Sequence, residues 1–232
     1  MNPLMNEQLA QTSLNGLEFP YPSEDILKEK LKFLYGCNEQ HRYFIRSWWT
    51  EGIPYVFSKS PADYEALRQW LGKELDINPR SITLIGSARF GYSIVPKREG
   101  SSKFSSDSDL DFFAVSEFWF DSLKNEFQDW KIRYINSEIK PSDSEDRFWK
   151  DNKDQVPKNI NNGFIDAKYI PTRDSFPKTM QIRDIMFRAK KNFKYNSVCN
   201  LSRVFNIRVY RSWDDVDNQL ILNLNKIIKQ LG

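Results

Sequence analysis

The sequence predicts an α+β fold, in which a small mixed sheet is flanked by helices. Short apolar runs rich in β-branched and aromatic residues, which are typical of strands, occur at residues 82–85, 110–115, 164–170 and 204–211. Longer segments between and around these runs place apolar residues at helical spacing. The chain has 232 residues, of which 40% are hydrophobic, so it can bury a substantial core. We therefore expect one domain over residues 23–232.

Charge and composition argue against several classes of function. The 34 basic and 31 acidic residues give a net charge of +3, too weak a bias to indicate a nucleic-acid partner, although local clusters could still matter. Cys37 and Cys199 lack the spacing of metal ligands and His41 is the only histidine, which disfavours a zinc site and a histidine-based triad. No apolar stretch approaches the ~20 residues that span a bilayer, and no signal-like segment opens the chain. We therefore expect a cytoplasmic protein with no membrane partner.

The first third of the chain predicts a flexible arm followed by helices. Residues 1–22 are rich in Asn, Gln and Pro without periodicity and are expected to form the arm. Helices are expected within residues 23–75. The clearest of them begins with Ser60 as a hydroxyl cap, Pro61 at the first helical position and Asp63 at the third.

The remaining elements divide into a central part at residues 80–171 and an annex of helices and one strand at residues 175–232. An amphipathic helix is expected over residues 117–135, and the polar, acidic segment at 137–155 is expected to be an exposed insertion. The annex ends in a clear helix that Ser212 caps.

Two basic segments have alternative interpretations. The loop at residues 94–106 contains two lysines and an arginine among Gly and Ser, so it is either a solvated insertion or a clamp for a phosphate or an acceptor. The helix expected over residues 180–193 has a basic end. These cations either complement the helix dipole, which we favour, or contact the phosphates of an acceptor.

The most informative pattern joins a glycine turn to an acidic strand. The apolar run 82–85 stops at Gly86-Ser87, and the run 110–115 is preceded by Asp109 and carries Asp111. Side chains alternate across a strand, so the two carboxylates are expected on one face. Paired carboxylates suit Mg²⁺, whose other ligands are usually water and substrate phosphates, and a glycine turn lets phosphate oxygens approach main-chain N–H groups. The pattern therefore predicts a metal site with a phosphorylated partner.

At these residues the chain resembles the polymerase-β-type nucleotidyltransferase superfamily. Gly86-Ser87, the downstream Gly91 and Asp109-Leu110-Asp111 are similar to its signature, a Gly-Ser turn followed by Asp-hydrophobic-Asp. The resemblance implies a polymerase-β-like palm over residues 80–171, Mg²⁺ (or Mn²⁺) as the cofactor, and transfer of a nucleoside monophosphate (NMP) from a nucleoside triphosphate (NTP) to a hydroxyl. The stretch between Ser87 and Asp109 is longer than in minimal members.

Among the subgroups, Phe90-Gly91-Tyr92-Ser93 with the long loop before Ser108-Asp109 looks most similar to bacterial nucleotidyltransferases of phage-defence or toxin systems. This likeness implies a possible partner protein from the same system.

A third carboxylate is expected at Asp166, within the apolar run 164–170. A carboxylate buried in a strand is costly unless it is paired or metal-bound. In the superfamily a third acidic residue on a neighbouring strand helps to bind the catalytic metal and to deprotonate the acceptor. The resemblance assigns that role to Asp166. The alternative is a salt bridge with Lys168 or an arginine.

The expected site therefore has two parts. Its catalytic and metal-binding residues are Asp109, Asp111 and Asp166. Its nucleotide-binding residues are Gly86, Ser87, Arg89 and Ser108, although Arg89 could equally be a surface charge.

Three classes of function are compatible with these residues. The expected one is a Mg²⁺-dependent nucleotidyltransferase whose hydroxyl acceptor is a nucleotide, an RNA 3′ end, a protein or a small molecule. The second is a non-catalytic nucleotide-binding or regulatory module on the same fold. The third, a protein that only binds nucleic acid, is disfavoured by the modest charge.

Overall fold

The computed structural model describes residues 21–34, 38–95, 103–105, 108–192 and 204–231. They form an α+β structure, as the sequence predicts. The helices are α1 Glu24–Lys32, α2 Asn38–Phe44, α3 Pro61–Leu75, α4 Ser87–Phe90, α5 Glu117–Ile135, α6 Asp146–Asn161, α7 Pro177–Asn192 and α8 Trp213–Leu231. A π-helical segment, Ile45–Thr50, continues α2. Within the described residues, no helix is both long enough and apolar enough to cross a membrane.

The strands form one small mixed sheet. They are β1 Ile82–Ile85, β2 Leu110–Val115, β3 Phe164–Asp166 and β4 Phe205–Tyr210, and their order across the sheet is β1-β2-β4-β3. β1 is antiparallel to β2, β2 is parallel to β4, and β3 is antiparallel to β4. The strand at 204–211 therefore lies inside the sheet, between β2 and β3, and is not part of an annex beside it.

One face of the sheet carries the larger core. Leu84, Phe112 and Ile207 point from this face into a buried apolar cluster that includes Leu71 of α3 and Ile185 of α7. These strand positions alternate with those on the opposite face, as the two-residue period of a strand requires.

The opposite face is apolar over only part of its area. Phe113 of β2, Tyr210 of β4 and Phe164 of β3 form a buried aromatic group, with Tyr210 5.6 Å from Phe113 and 5.5 Å from Phe164. Helices α1 and α8 cover this group with residues such as Leu27 and Leu220. Towards one end of the sheet the same face becomes polar.

That end is where four chain segments meet. β1 and β3 finish there and β2 and β4 begin there, because β1 and β3 run antiparallel to their neighbours. Asp109 precedes β2 and Asp111 is its second residue, so we call this region the acidic end of the sheet.

The predicted flexible arm is packed at its last residues. The Tyr21 hydroxyl donates to the carbonyl of Ile53 at 2.7 Å, and the Tyr92 hydroxyl donates to the carbonyl of Pro22 at 2.9 Å. Tyr21 also contacts the ring of Phe90, with centroids 5.7 Å apart. Residues 1–20 lie outside the described part of the chain.

The segment at 137–155 is not an exposed insertion throughout. Its second half enters α6, which buries Trp149 and Val156 on one side and contains Pro157. The Trp149 ring packs edge-on against Trp130 of α5 at 5.5 Å. The polar sequence conceals this helix because a single narrow stripe of apolar residues faces the core.

Candidate functional site

The glycine turn lies directly against the acidic strand. Gly86 has φ 74° and ψ −155°, a backbone conformation that side chains other than glycine rarely adopt, and Ser87 begins the four-residue helix α4. Ile85 pairs with Asp111 across the two strands. A β-carbon placed on Gly86 would lie only 3.5 Å from Oδ2 of Asp111. The absence of a side chain therefore leaves open the space between the turn and a carboxylate.

Asn206 of β4 joins the two carboxylates. It is the strand partner of Asp111, and its Nδ2 group donates to Oδ1 of Asp111 at 3.1 Å and to Oδ2 of Asp109 at 3.4 Å. Because one amide group contacts both side chains, Asp109 and Asp111 lie on the same side of β2, as strand alternation predicts.

The environment of Asp111 makes its negative charge costly. Burial raises the pKa of the Asp111 carboxyl, and the neighbouring charges of Asp109 and Asp166 act in the same direction. The hydrogen bond from Asn206 and the positive charge of Lys168 oppose this effect, but the pKa remains raised. A cation bound between Asp109 and Asp111 would offset the cost.

The structure does not bring Asp166 into the carboxylate pair. Asp166 is buried and lies across from Arg208 of β4, so β4 separates it from β2. Arg208 donates from Nη2 to Oδ2 of Asp166 at 3.1 Å and from Nε to both carboxylate oxygens at 3.2 and 3.3 Å. Both oxygens are therefore held by an ion pair with an arginine, the alternative that the sequence left open. Asn206 takes the position beside Asp111 where we expected the third carboxylate.

Arg89 is also placed differently from the expectation. Arg89 is a residue of α4, and its side chain is fully buried. Its Nε donates to the carbonyl of Trp48 at 2.9 Å, and its Nη1 donates to the carbonyl of Gly52 at 3.3 Å. Burial lowers the pKa of this guanidinium. Arg89 thus anchors α4 to the π-helical segment at Trp48 and to Gly52 just after it, and its side-chain donors do not reach the carboxylates of the acidic end.

The two serines lie near the carboxylates. Ser87 is half-buried at the start of α4, and Ser108 is half-buried one residue before Asp109. Ser108 Oγ accepts a hydrogen bond from the Ser105 amide at 3.0 Å, and the Ser108 amide donates to the Ser105 carbonyl at 3.0 Å. These two hydrogen bonds hold Ser108 beside Ser105. Most of the basic loop at 94–106 lies outside the described residues.

The residues at the acidic end fit a hard divalent cation. Asp109 and Asp111 supply carboxylate oxygens, and Asn206 adds an amide whose oxygen and nitrogen exchange places by rotation of the side chain. Across the described ranges, no group of three or more His, Cys, Asp or Glu residues could hold a metal ion. Mg²⁺ is usually bound through one or two carboxylates together with substrate phosphates, so two are sufficient.

Asn206 is the site residue that the sequence analysis missed. It lies within the run 204–211 that predicts a strand, and neither an asparagine nor its neighbour Arg208 is a signal for metal binding by itself. The sequence signal that points to Asn206 is the polar face of this strand, which carries both Asn206 and Arg208.

Comparisons with known proteins found no similar protein. No protein-family model, no curated protein and no solved structure matches this chain.

Proposed function

We propose that this protein is a Mg²⁺-dependent nucleotidyltransferase on a polymerase-β-like palm, which transfers an NMP from an NTP to a hydroxyl acceptor. The observation that carries the proposal is the close approach of the Gly86 turn to Asp111. A turn that can accept phosphate oxygens and a carboxylate pair that can hold the metal of an NTP are adjacent at one end of the sheet. The resemblance of Phe90-Gly91-Tyr92-Ser93 to bacterial defence and toxin-associated nucleotidyltransferases supports a role in such a system. Mn²⁺ is the alternative to Mg²⁺ as the bound ion.

Each residue has a defined part in this proposal. Asp109 and Asp111 would hold Mg²⁺, which when bound neutralises phosphate charge and favours departure of pyrophosphate. The main-chain N–H groups at Gly86 and Ser87 would orient the triphosphate. Asn206 holds both carboxylates in position, as its two hydrogen bonds show. Lys168 adds positive charge close to Asp111.

A non-catalytic nucleotide-binding module is the second candidate. The specific observation in its favour is that the third carboxylate is engaged by Arg208 and that a neutral asparagine lies beside Asp111. Such a module would bind an NTP with its metal but would not consume it.

Incubation with each labelled NTP and Mg²⁺ distinguishes the two candidates. We expect release of pyrophosphate and a product heavier by one NMP, resolved by mass spectrometry, and loss of both on addition of EDTA. If an NTP binds in calorimetry but is never consumed, the protein is a binding module and the enzymatic proposal is wrong.

Replacing Gly86 by alanine is expected to weaken NTP binding by about tenfold. A β-carbon would restrict the approach of phosphate oxygens to the turn, and loss of one charge-assisted hydrogen bond is worth about 1.5–3 kcal/mol. The strained backbone will also lower the free energy of unfolding by about 1–3 kcal/mol. Calorimetry below the melting temperature measures the affinity.

Gly52→Ala is the matched control for backbone strain. Gly52 has φ 75°, nearly the same as Gly86, and is exposed outside the sheet. This variant should lose stability and keep its NTP affinity. Equal affinities for Gly86→Ala and the wild type would remove the turn from the site.

A further inference from the structure

Two cavities lie along α6 and α7. The first, about 380 Å³, is lined by the start of β4 and by one side of α7, including Phe187 and Asn206. The second, about 450 Å³, is lined by α6 and the segment after β3, including Phe148 and Arg173. Lys168 and Arg183 line both cavities. The two cavities are therefore neighbours on either side of these two residues, and we call them together the α6–α7 groove.

Each cavity has an exposed phenylalanine. Phe187 is 68% exposed and Phe148 is 65% exposed, although large apolar side chains are normally covered. Flat aromatic faces at a groove are suited to stacking against nucleobases. Each stacked base adds to the binding affinity, and the contact tolerates any base because every base has a flat face.

Positive charge lies between the two aromatic rings. Lys168 and Arg183 are exposed, and neither forms an ion pair with a carboxylate in the described part of the chain. Glu145 is the one carboxylate that lines the groove within the described residues, and it is neutralised by Arg173, whose Nη2 lies 2.7 Å from Oε2. The groove is therefore locally cationic although the whole chain has a net charge of only +3.

Two residues connect the groove to the carboxylate pair. Asn206 lines the first cavity and also donates hydrogen bonds to Asp109 and Asp111. The positive charge of Lys168 is close enough to Asp111 to oppose the rise in its pKa that burial causes. Asn206 and Lys168 therefore border both the groove and the acidic end.

We propose that the α6–α7 groove binds two nucleotides of a single-stranded nucleic acid whose 3′-hydroxyl is the acceptor. The two bases stack on Phe187 and Phe148, and the phosphate between them lies at Lys168 and Arg183. The backbone of a peptide does not supply the regular alternation of flat rings and negative charges that these aromatic and cationic groups would recognise. The inference rests on the proposed function for the identity of the acceptor, but binding in the groove does not depend on it.

The transfer that follows conserves atoms and charge. The 3′ oxygen forms a bond to the α-phosphorus of the NTP, the bond between the α- and β-phosphates breaks, pyrophosphate leaves, and the hydroxyl proton passes to solvent.

The groove is tested directly by titrating fluorescein-labelled oligouridine or oligothymidine with the full chain. Fluorescence anisotropy measures binding, in EDTA and without NTP. We expect Phe187→Ala and Arg183→Ala to weaken binding by about tenfold each. Arg183→Ala should also reduce the slope of log Kd against log salt concentration by about 0.7, because one phosphate contact to a single strand is lost. Phe187→Ala should leave this slope unchanged. The RNA and DNA arms show which sugar is preferred.

Phe33→Ala and Arg80→Ala are matched controls. Phe33 is 66% exposed at the end of α1, and Arg80 is exposed before β1, at the opposite end of the sheet from the carboxylates. Both should bind like the wild type. Oligonucleotide binding that is absent, or unchanged in both groove variants, overturns the inference. A loss of ATP affinity in Phe187→Ala and Arg183→Ala with intact oligonucleotide binding also overturns the inference, since the first cavity would then hold the base of the NTP.

Failure of the groove and failure of the proposed function give different results. Groove-dependent binding without any NMP transfer preserves the groove and refutes the nucleotidyltransferase. Transfer of label to a protein or a small molecule, with no affinity for oligonucleotides, preserves the enzyme and refutes the groove.

Discussion

Replacing Asp111 by asparagine is expected to reduce NMP transfer by about a thousandfold or more without destabilising the protein. The carboxylate would hold the metal, whose neutralisation of developing charge is worth several kcal/mol, and each 1.36 kcal/mol corresponds to a factor of ten in rate. Asparagine has the same shape and can still accept the hydrogen bond from Asn206 that Asp111 accepts at 3.1 Å. Turnover with Mg²⁺ and the melting temperature in EDTA measure the two effects.

The same variant should be as stable as the wild type or more stable at neutral pH. Burial raises the pKa of Asp111 above its ordinary value of 3.8, so the folded protein retains this proton to a higher pH than the unfolded chain. Wild-type stability therefore falls as the pH rises from the ordinary carboxyl pKa through the raised pKa of the folded state. The advantage of Asp111→Asn should disappear below the ordinary carboxyl pKa.

Asp151→Asn provides the control. Asp151 is exposed in α6, and its replacement should leave turnover unchanged. Wild-type turnover in Asp111→Asn would show that the carboxylate pair is not the metal site.

Replacing Asp166 by alanine is expected to lower the free energy of unfolding by about 3 kcal/mol. Asp166 is 6% exposed, and its removal leaves the guanidinium of Arg208 partly buried without its carboxylate partner. Burial acts to lower the pKa of Arg208, but the attraction of Asp166 outweighs it, so the pKa is raised and the arginine stays charged. Urea unfolding measures the loss.

A second substitution separates the ion pair from a catalytic role. Asp166→Ala with Arg208→Leu removes the unpaired charge and should recover part of the lost stability, because an apolar side chain can pack on the Phe164 ring that the guanidinium now covers at 4.3 Å. Turnover of each variant, divided by its folded fraction, should stay near the wild-type value. Asp166→Asn with an unchanged melting temperature and turnover lowered by orders of magnitude would instead restore Asp166 as the third catalytic carboxylate.

The sequence predicted the local elements that depend on neighbouring residues. The glycine turn, the acidic strand β2 and the long helices α5 and α8 follow from turn chemistry and from apolar periodicity, which operate within a few residues. The proximity of Gly86 to Asp111 also follows, because β1 and β2 are neighbours in the sheet and close together in the chain.

The sequence could not predict which strand lies beside β2. Asn206 and Asp166 are both polar residues within apolar strands, and only the strand order decides that Asn206 faces Asp111 while Asp166 faces Arg208. Arg89 was misplaced for a related reason. Its burial depends on the carbonyl groups of Trp48 and Gly52, about forty residues earlier in the chain.

The strand order also sets when the candidate site can form during synthesis. β3 has only β4 as a neighbour, and the parallel pairing of β4 with β2 brings together residues 95 positions apart, Asp111 and Asn206. A nascent chain that has not yet released residues 205–210 holds β1 and β2 but has no strand to join β3, and its carboxylate pair lacks the amide that holds it. Such long-range pairing is slow to form. Translation of the last strand is therefore the step that completes the site, and a ribosome-bound fragment that ends before it is expected to be inactive.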